Sequence, residues 1–255
     1  MQIEKRGRGE PEYTVIGSLH GDEPAGKNAI EKVLDEELVF EKPVQFIIAN
    51  ERALEQDVRF TDCDLNRSFP GDKESDEYEE RLAAEIMEKI SGTKVLDIHT
   101  THSYPRPFAT FSNLNDETRK LLKSSGVENA VYFPNNNGTL NGQLDAIVVE
   151  TGYQKSEEAE DNAVDIIKNL LAAEGAIEGE FSTSEPEIFK YYETVEGDWK
   201  FTAENFVKVD AGESFAERNK DKLVAKKPFY PVLMSTNGYD GQLGFKAKKI
   251  ETLKD

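Results

Sequence analysis

A chain of 255 residues is long enough for one large domain, or for one domain with an appendage. Its formal net charge of −19 argues against nucleic acid or an anionic membrane surface as a partner, and it gives weight to any local group of arginines. A single cysteine, Cys63, leaves no internal disulfide; with no secretion signal in Met1–Arg6 and no long apolar run, the expectation is a cytoplasmic protein without a membrane partner.

The first apolar run, Tyr13–Ile16, reads as a buried strand and leads into Gly17-Ser18-Leu19-His20-Gly21-Asp22-Glu23-Pro24. A histidine and a glutamate three residues apart at a strand end can turn toward one point, as half of a tetrahedral zinc site, or can be incidental in a polar loop. The flanking Gly17 and Gly21 let the backbone turn tightly. Pro24 suits a first helical turn, and Ala29, Ile30, Val33 and Leu34 recur at helical spacing up to about Glu37. Val44–Ala49 reads as a second buried strand, followed by a polar connection carrying Arg59. Asp62–Gly71 is rich in turn formers and predicts irregular structure. Arg59, Asn66 and Arg67 are the candidates for anion binding, since an arginine fork holds a carboxylate with two bonds; pairing of these arginines with Asp62 or Asp64 is the alternative.

A helix is expected over 76–91, with Tyr78, Leu82, Ile86 and Ile90 on one stripe and Gly92 as its stop. The next strand, Val95–Ile98, delivers His99. Of only three histidines (His20, His99, His102), two therefore lie at strand ends, where open α/β sheets place their ligand sites. Two histidines and one glutamate form a known catalytic zinc set with a fourth position left for water. Strands follow at Phe108–Phe111 and Ala130–Phe133, with a short helix over 117–125 between them and the loop Asn135–Gly138 after them. The apolar run Ala146–Val149 ends in Glu150-Thr151-Gly152. Glu150 is the candidate general base if it points into a crevice, and otherwise a solvated strand-end glutamate. A long helix over 157–173 completes an alternating pattern that predicts a layered α/β domain. Past Gly179 the texture changes to short β-rich pieces: Ile188–Tyr192, Phe206–Val209 and Tyr230–Met234.

The segments Gly17–Glu23, Asp62-Cys63-Asp64-Leu65-Asn66-Arg67, Asp97-Ile98-His99-Thr100 and Glu150-Thr151-Gly152 occur in a familiar order and spacing. In these the chain resembles the aspartoacylase and succinylglutamate desuccinylase family, whose catalytic domain is similar to the zinc carboxypeptidases. The resemblance implies an α/β, zinc-carboxypeptidase-like layered domain with a central mixed sheet over residues 1–179, and a small β-rich C-terminal domain over 180–255. It implies one Zn2+ per chain, ligated by His20, Glu23 and His99. It further implies that Asn66 and Arg67 hold the α-carboxylate of an N-acyl amino acid, that Arg59 polarises the scissile carbonyl, that Glu150 is the catalytic glutamate, and that Tyr239 faces the substrate. The expected activity is zinc-dependent hydrolysis of the amide bond of a small N-acyl amino acid. One departure stands out: aspartoacylases carry a basic residue shortly before the catalytic glutamate, and here Asn141-Gly142-Gln143-Leu144-Asp145 has none. His102 and Arg106 are the candidates to serve instead. Cys63, without a basic neighbour, reads as packing. The rivals are a zinc carboxypeptidase acting in an open groove on peptides with a free C-terminus, and a binding protein that holds an anion on a metal without turnover.

Overall fold

The computed structural model describes residues 1–238 and 241–254. Strands β1 (Gln2–Arg6), β2 (Tyr13–Gly17), β3 (Val44–Ile48), β4 (Lys94–Thr101), β5 (Phe108–Phe111), β6 (Asn129–Tyr132) and β7 (Ala146–Tyr153) alternate with helices α1 (Ala25–Asp35), α2 (Glu51–Gln56), α3 (Tyr78–Ile90), α4 (Asp116–Ser125), α5 (Leu140–Gln143) and α6 (Glu157–Ala173). The remainder is β-rich: β8 (Glu187–Glu196), β9 (Lys200–Phe201), β10 (Ser214–Arg218), β11 (Asp221–Val224), β12 (Tyr230–Val232) and β13 (Gln242–Thr252).

Among the described residues the strands form a mixed ten-stranded sheet in the order β1-β3-β2-β4-β7-β5-β6-β8-β13-β12, and a small antiparallel sheet of β9, β10 and β11. The centre, β3-β2-β4-β7, is parallel. All five residues of β2 and of β3 are buried, as strands covered on both faces require. Alternate side chains enter opposite layers. Val15, Phe46, Leu96, Ile98 and Val149 pack with Ile30 and Val33 of α1, Leu121 and Leu122 of α4, and Ile167 and Leu170 of α6. Ile16, Ile47 and Val95 pack with Leu82, Ile86 and Ile90 of α3. Each such side chain contributes roughly 1.5–3 kcal/mol by leaving water, so the order of the central strands is strongly enforced.

At the N-terminal ends of the parallel strands lies a buried carboxylate, Glu174. It accepts from Ser124 Oγ (2.7 Å), Lys120 Nζ (2.6 Å), Tyr13 OH (3.2 Å) and Lys94 Nζ (3.3 Å). Burial and the Glu174 charge push the Tyr13 phenol up to about 12. With its partners all supplied by the protein, this cluster fastens α4 and α6 to the sheet.

The β-rich end departs from the expected strands in one place. Residues 206–209 form no strand: Phe206 has a φ of 66°, and Val209 makes only an isolated bridge with Phe229. The reason is aromatic packing, because the Phe206 ring inserts between Tyr104, Phe108 and Phe189 at centroid distances of 5.0, 5.1 and 5.4 Å. No helix among the described residues is long and apolar enough to cross a membrane.

Candidate active site

From β2 the chain moves through α1 to β3 on one side, and the later strand β4 lies on the other side of β2. The C-terminal ends of β2 and β4 therefore bound a crevice of the kind in which open α/β sheets bind ligands. His20 and Glu23 follow β2, His99 sits within β4, and Glu150 pairs in register with His99 across the β4–β7 ladder. Thr151 Oγ1 donates to His99 O (3.2 Å), fixing the two strands at that level.

Gly17 and Gly21 have another purpose than the tight turn expected of them. Neither has a positive φ; the left-handed residue in this loop is Ser18, at 58°. A Cβ on Gly17 would lie 2.5 Å from Gly26 C, and one on Gly21 would lie 2.1 Å from Ala53 C. Each glycine lets a neighbouring helix approach the loop, and this closeness places Glu23 under the crevice.

His20, Glu23 and His99 are all buried, and each offers one ligand atom within 4.8 Å of the others. His20 Nδ1 lies 2.9 Å from Glu23 Oε1, and His99 Nδ1 lies 3.2 Å from Glu23 Oε2. The other ring nitrogens are engaged by carboxylates: His20 Nε2 by Asp64 Oδ1 at 3.1 Å, and His99 Nε2 by Asp97 Oδ2 at 3.0 Å. A carboxylate behind each imidazole is the arrangement that orients histidine as a metal ligand. Two imidazole nitrogens and one carboxylate oxygen, converging and supported from behind, fit a zinc ion, and the cluster could hold one. Burial works to raise the Glu23 carboxyl, but the adjoining His20 and His99 hold it well below the usual carboxylate range. Asp64 is likewise held low against its burial, by His20, Arg59 and Arg67.

These residues open into a cavity of about 700 Å³ whose lining includes Arg59, Asn66, Arg67 and Glu150. Arg59 donates from Nε to Asp64 Oδ2 (3.1 Å) and from Nη1 to Glu23 Oε1 (3.3 Å), so it is held beside the His20–Glu23–His99 cluster. Asn66 lies in a short 3-10 turn, Leu65–Arg67, and its Oδ1 accepts from Leu140 N (3.0 Å). Arg67 stands exposed at the rim and donates to Asn66 O (2.6 Å). Burial and the nearby Glu23 push Glu150 up to about 8 against the influence of His99 and Arg59. Its Oε2 is buried with no hydrogen-bond partner among the described residues. An orphaned carboxyl oxygen on a residue that lines a polar cavity is costly for the fold and useful for chemistry.

Of the lesser candidates, His102 lines the cavity, whereas Arg106 does not and instead donates to Tyr104 OH (2.5 Å). Cys63 is half-buried with Sγ 3.3 Å from Ser68 Oγ, and burial holds its thiol above the ordinary value. Tyr239 lies outside the described residues. The β-rich end supplies a roof that includes Tyr191, Leu233, Ser235, Leu243 and Phe245. Asn205 fastens this roof down: its amide donates to Ser103 O and Met234 O (2.9 Å each) and accepts from Met234 N (3.0 Å).

One organising residue escapes sequence reasoning. Glu79, in the first turn of α3 and fully buried, accepts from Thr61 N (2.7 Å), Thr61 Oγ1 (2.9 Å), Asp62 N (3.0 Å), Cys63 N (3.2 Å) and Asn50 Nδ2 (3.3 Å). It shapes the loop between Arg59 and Asn66. Burial would raise its pKa, but the amides of Thr61 and Asp62 bring it below the usual value. A carboxyl depressed on folding adds stability that is present above its unfolded value and lost as pH falls through its folded one. Glu79→Gln is therefore expected to cost about 2–4 kcal/mol at pH 7. In urea titrations the difference from the parent should shrink below roughly pH 4.

With the geometry in view, comparison with known proteins places the chain. The sequence model for the succinylglutamate desuccinylase/aspartoacylase catalytic domain matches residues 10–167, more than half of the chain. The chain belongs to this family. An N-acyl-aromatic-L-amino acid amidohydrolase (carboxylate-forming) of Xenopus tropicalis is 32% identical over 106 residues, covering 36% of this chain. The chain spans about a third (34%) of the length of that curated relative. The fold matches a succinylglutamate desuccinylase/aspartoacylase from Rhodobacter sphaeroides with a TM-score of 0.78 at 20% identity, over 98% of this chain and 89% of the other. Murine aminoacylase 3 matches with a TM-score of 0.76 at 17% identity, over 97% and 98% of the two chains. The family's catalytic-domain match includes His20, Glu23, Arg59, Asn66, Arg67, His99 and Glu150.

Proposed function

We propose that the protein is a zinc-dependent hydrolase that cleaves the amide bond of an N-acyl amino acid. One observation carries this reading: the buried His20–Glu23–His99 cluster, an unpartnered Glu150 oxygen, Arg59 and the Asn66–Arg67 pair meet in one roofed cavity. A zinc ion held by His20, Glu23 and His99 would act as a Lewis acid toward the acyl carbonyl and make a water molecule acidic near neutral pH. Glu150 takes the proton from the attacking water and returns it to the leaving amine. Arg59, steadied by Asp64 and Glu23, faces the carbonyl oxygen as its negative charge develops. Asn66 and Arg67 hold the substrate carboxylate, the guanidinium at the rim and the amide fixed by Leu140 N.

The Xenopus relative is named for carboxylate-forming hydrolysis of N-acyl amino acids, and family membership points the same way. The carboxypeptidase alternative needs an open groove, and the roof contributed by the β-rich end disfavours it. In keeping with that role of the roof, we take residues 1–179 as the catalytic unit and 180–255 as its cover.

The test is amine release by the zinc-loaded protein from N-acyl amino acids and from blocked dipeptides with a free C-terminus. Turnover of N-acyl amino acids with the dipeptides inert is the expected result. Cleavage of the dipeptides instead would make the protein a carboxypeptidase. No turnover of either, with zinc bound, would leave a binding protein.

A further inference from the structure

The floor of the cavity carries information about the substrate's side chain. Thr110 of β5 pairs with Val148 of β7, and Val148 lies two residues before Glu150 on the same face of that strand. Asn141, on the short turn α5, lines the cavity beside them and is 2% exposed. Its Oδ1 lies 2.8 Å from Thr139 Oγ1 and 3.4 Å from Ser112 Oγ, both of which donate to it. The turn is wound so tightly that a Cβ on the next residue, Gly142, would fall 2.0 Å from Asn136 O. The Asn141 amide is thus held in place from behind. Because Leu140 N bonds to Asn66, the floor also stands next to the residues assigned to the substrate carboxylate.

No lysine lines the cavity among the described residues; its arginines are Arg59 and Arg67, and its one histidine outside the His20–Glu23–His99 cluster, His102, is exposed. Arg59 is engaged by Asp64 and Glu23, and Arg67 stands at the rim. A second carboxylate reaching the floor would meet a neutral amide, the Thr110 and Thr139 hydroxyls and the Val148 side chain, two residues along the strand from Glu150. It would be desolvated there with no lysine or arginine among the floor residues. An uncharged side chain meets no such penalty. Above the floor, Phe133, Tyr191 and Phe245 pack in tilted and edge-to-face pairs, with centroids 5.3–5.4 Å apart, into a wall suited to apolar bulk.

We infer that the substrates are N-acyl amino acids with an uncharged side chain, and that Asn141 is the specificity-determining residue. The inference rests on the function proposed above. Neither half of it follows from family membership alone, because the family acts on acidic and aromatic amino acids alike in the names its members carry.

The test uses substrates matched in shape and differing in charge: N-acetylglutamine against N-acetylglutamate, and N-acetylasparagine against N-acetylaspartate, with the zinc-loaded protein. The neutral member of each pair should have a kcat/KM at least about tenfold higher. Asn141→Lys should move that ratio at least about tenfold toward the acid. Asn141→Asp, which keeps the size of the side chain and so guards against a folding failure of the lysine variant, should move it the other way. Equal or faster turnover of the acidic members, or a ratio unmoved by both variants, would overturn the inference. If no member of either pair is hydrolysed, the proposed function fails. Calorimetric binding of the same pairs then decides the inference separately, with tighter binding of the neutral members sustaining it and equal or tighter binding of the acids refuting it.

Discussion

Glu150→Gln should lower kcat by about 100-fold or more while leaving the zinc content of the protein unchanged. The substitution preserves shape, so the β4–β7 ladder and the Thr151–His99 bond have no reason to move. It removes a cavity-lining carboxylate that has a buried oxygen without a partner and is not a candidate ligand. Its effect on stability should run opposite to its effect on rate. Burial pushes Glu150 up to about 8, so the folded protein bears the cost of a desolvated acid. Glutamine relieves that cost, and the melting temperature should hold or rise. Rate, metal content and melting curve of one preparation check all three. An undiminished kcat would remove Glu150 from the mechanism.

The second large effect is expected at Glu23. Glu23→Ala deletes the carboxylate that lies against both imidazoles, and with it an acceptor for Thr100 N (2.9 Å) and for Arg59 (3.3 Å). Activity should fall below detection, and the variant should not retain zinc through dialysis. The parent supplies a readout that needs no substrate: ligand binding to the folded state raises its melting temperature, so zinc should stabilise the parent and leave Glu23→Ala unmoved. Asp97→Asn scales the effect. Asp97 touches His99 from behind, and such partners typically govern about 10–100-fold in metal affinity. Equal zinc stabilisation of the parent and Glu23→Ala would exclude Glu23 as a ligand.

The central strands were legible because they are mostly apolar runs, and runs such as Val44–Ile48, broken only by Gln45, and Ala146–Val149 have few other places to go. The convergence of His20, Glu23 and His99 was legible for a related reason: in a chain with three histidines, two that end such runs come close together when the strands are neighbours in a parallel sheet. What escaped depends on distance in the chain. Glu79 looks like any glutamate in the first turn of a helix, and nothing local shows that Thr61, Asp62 and Cys63 will lend it their amides. Asp97 was more accessible, since an acid in an otherwise apolar strand two residues before a histidine asks for a partner. Helix α2 also left a signal, with Asn50 as its cap and Glu51–Gln56 rich in helix formers. The β-rich end misled because its long strand β13 carries three lysines and one glutamate, which hide the alternation that pairs it with β8. Phe206 misled differently, being apolar enough for a strand yet drawn into an aromatic cluster instead.

The pairing of His99 with Glu150 has a bearing on how preparations of this protein should be judged. Strand register changes only in whole residues, and a slip of one would send both side chains to the opposite face of the sheet. A molecule is therefore either assembled correctly at this point or inert, with no graded series between. Low specific activity in a sample replete with zinc would measure a proportion of misassembled molecules rather than a uniformly sluggish population. Titration with a tight inhibitor would count the competent fraction directly.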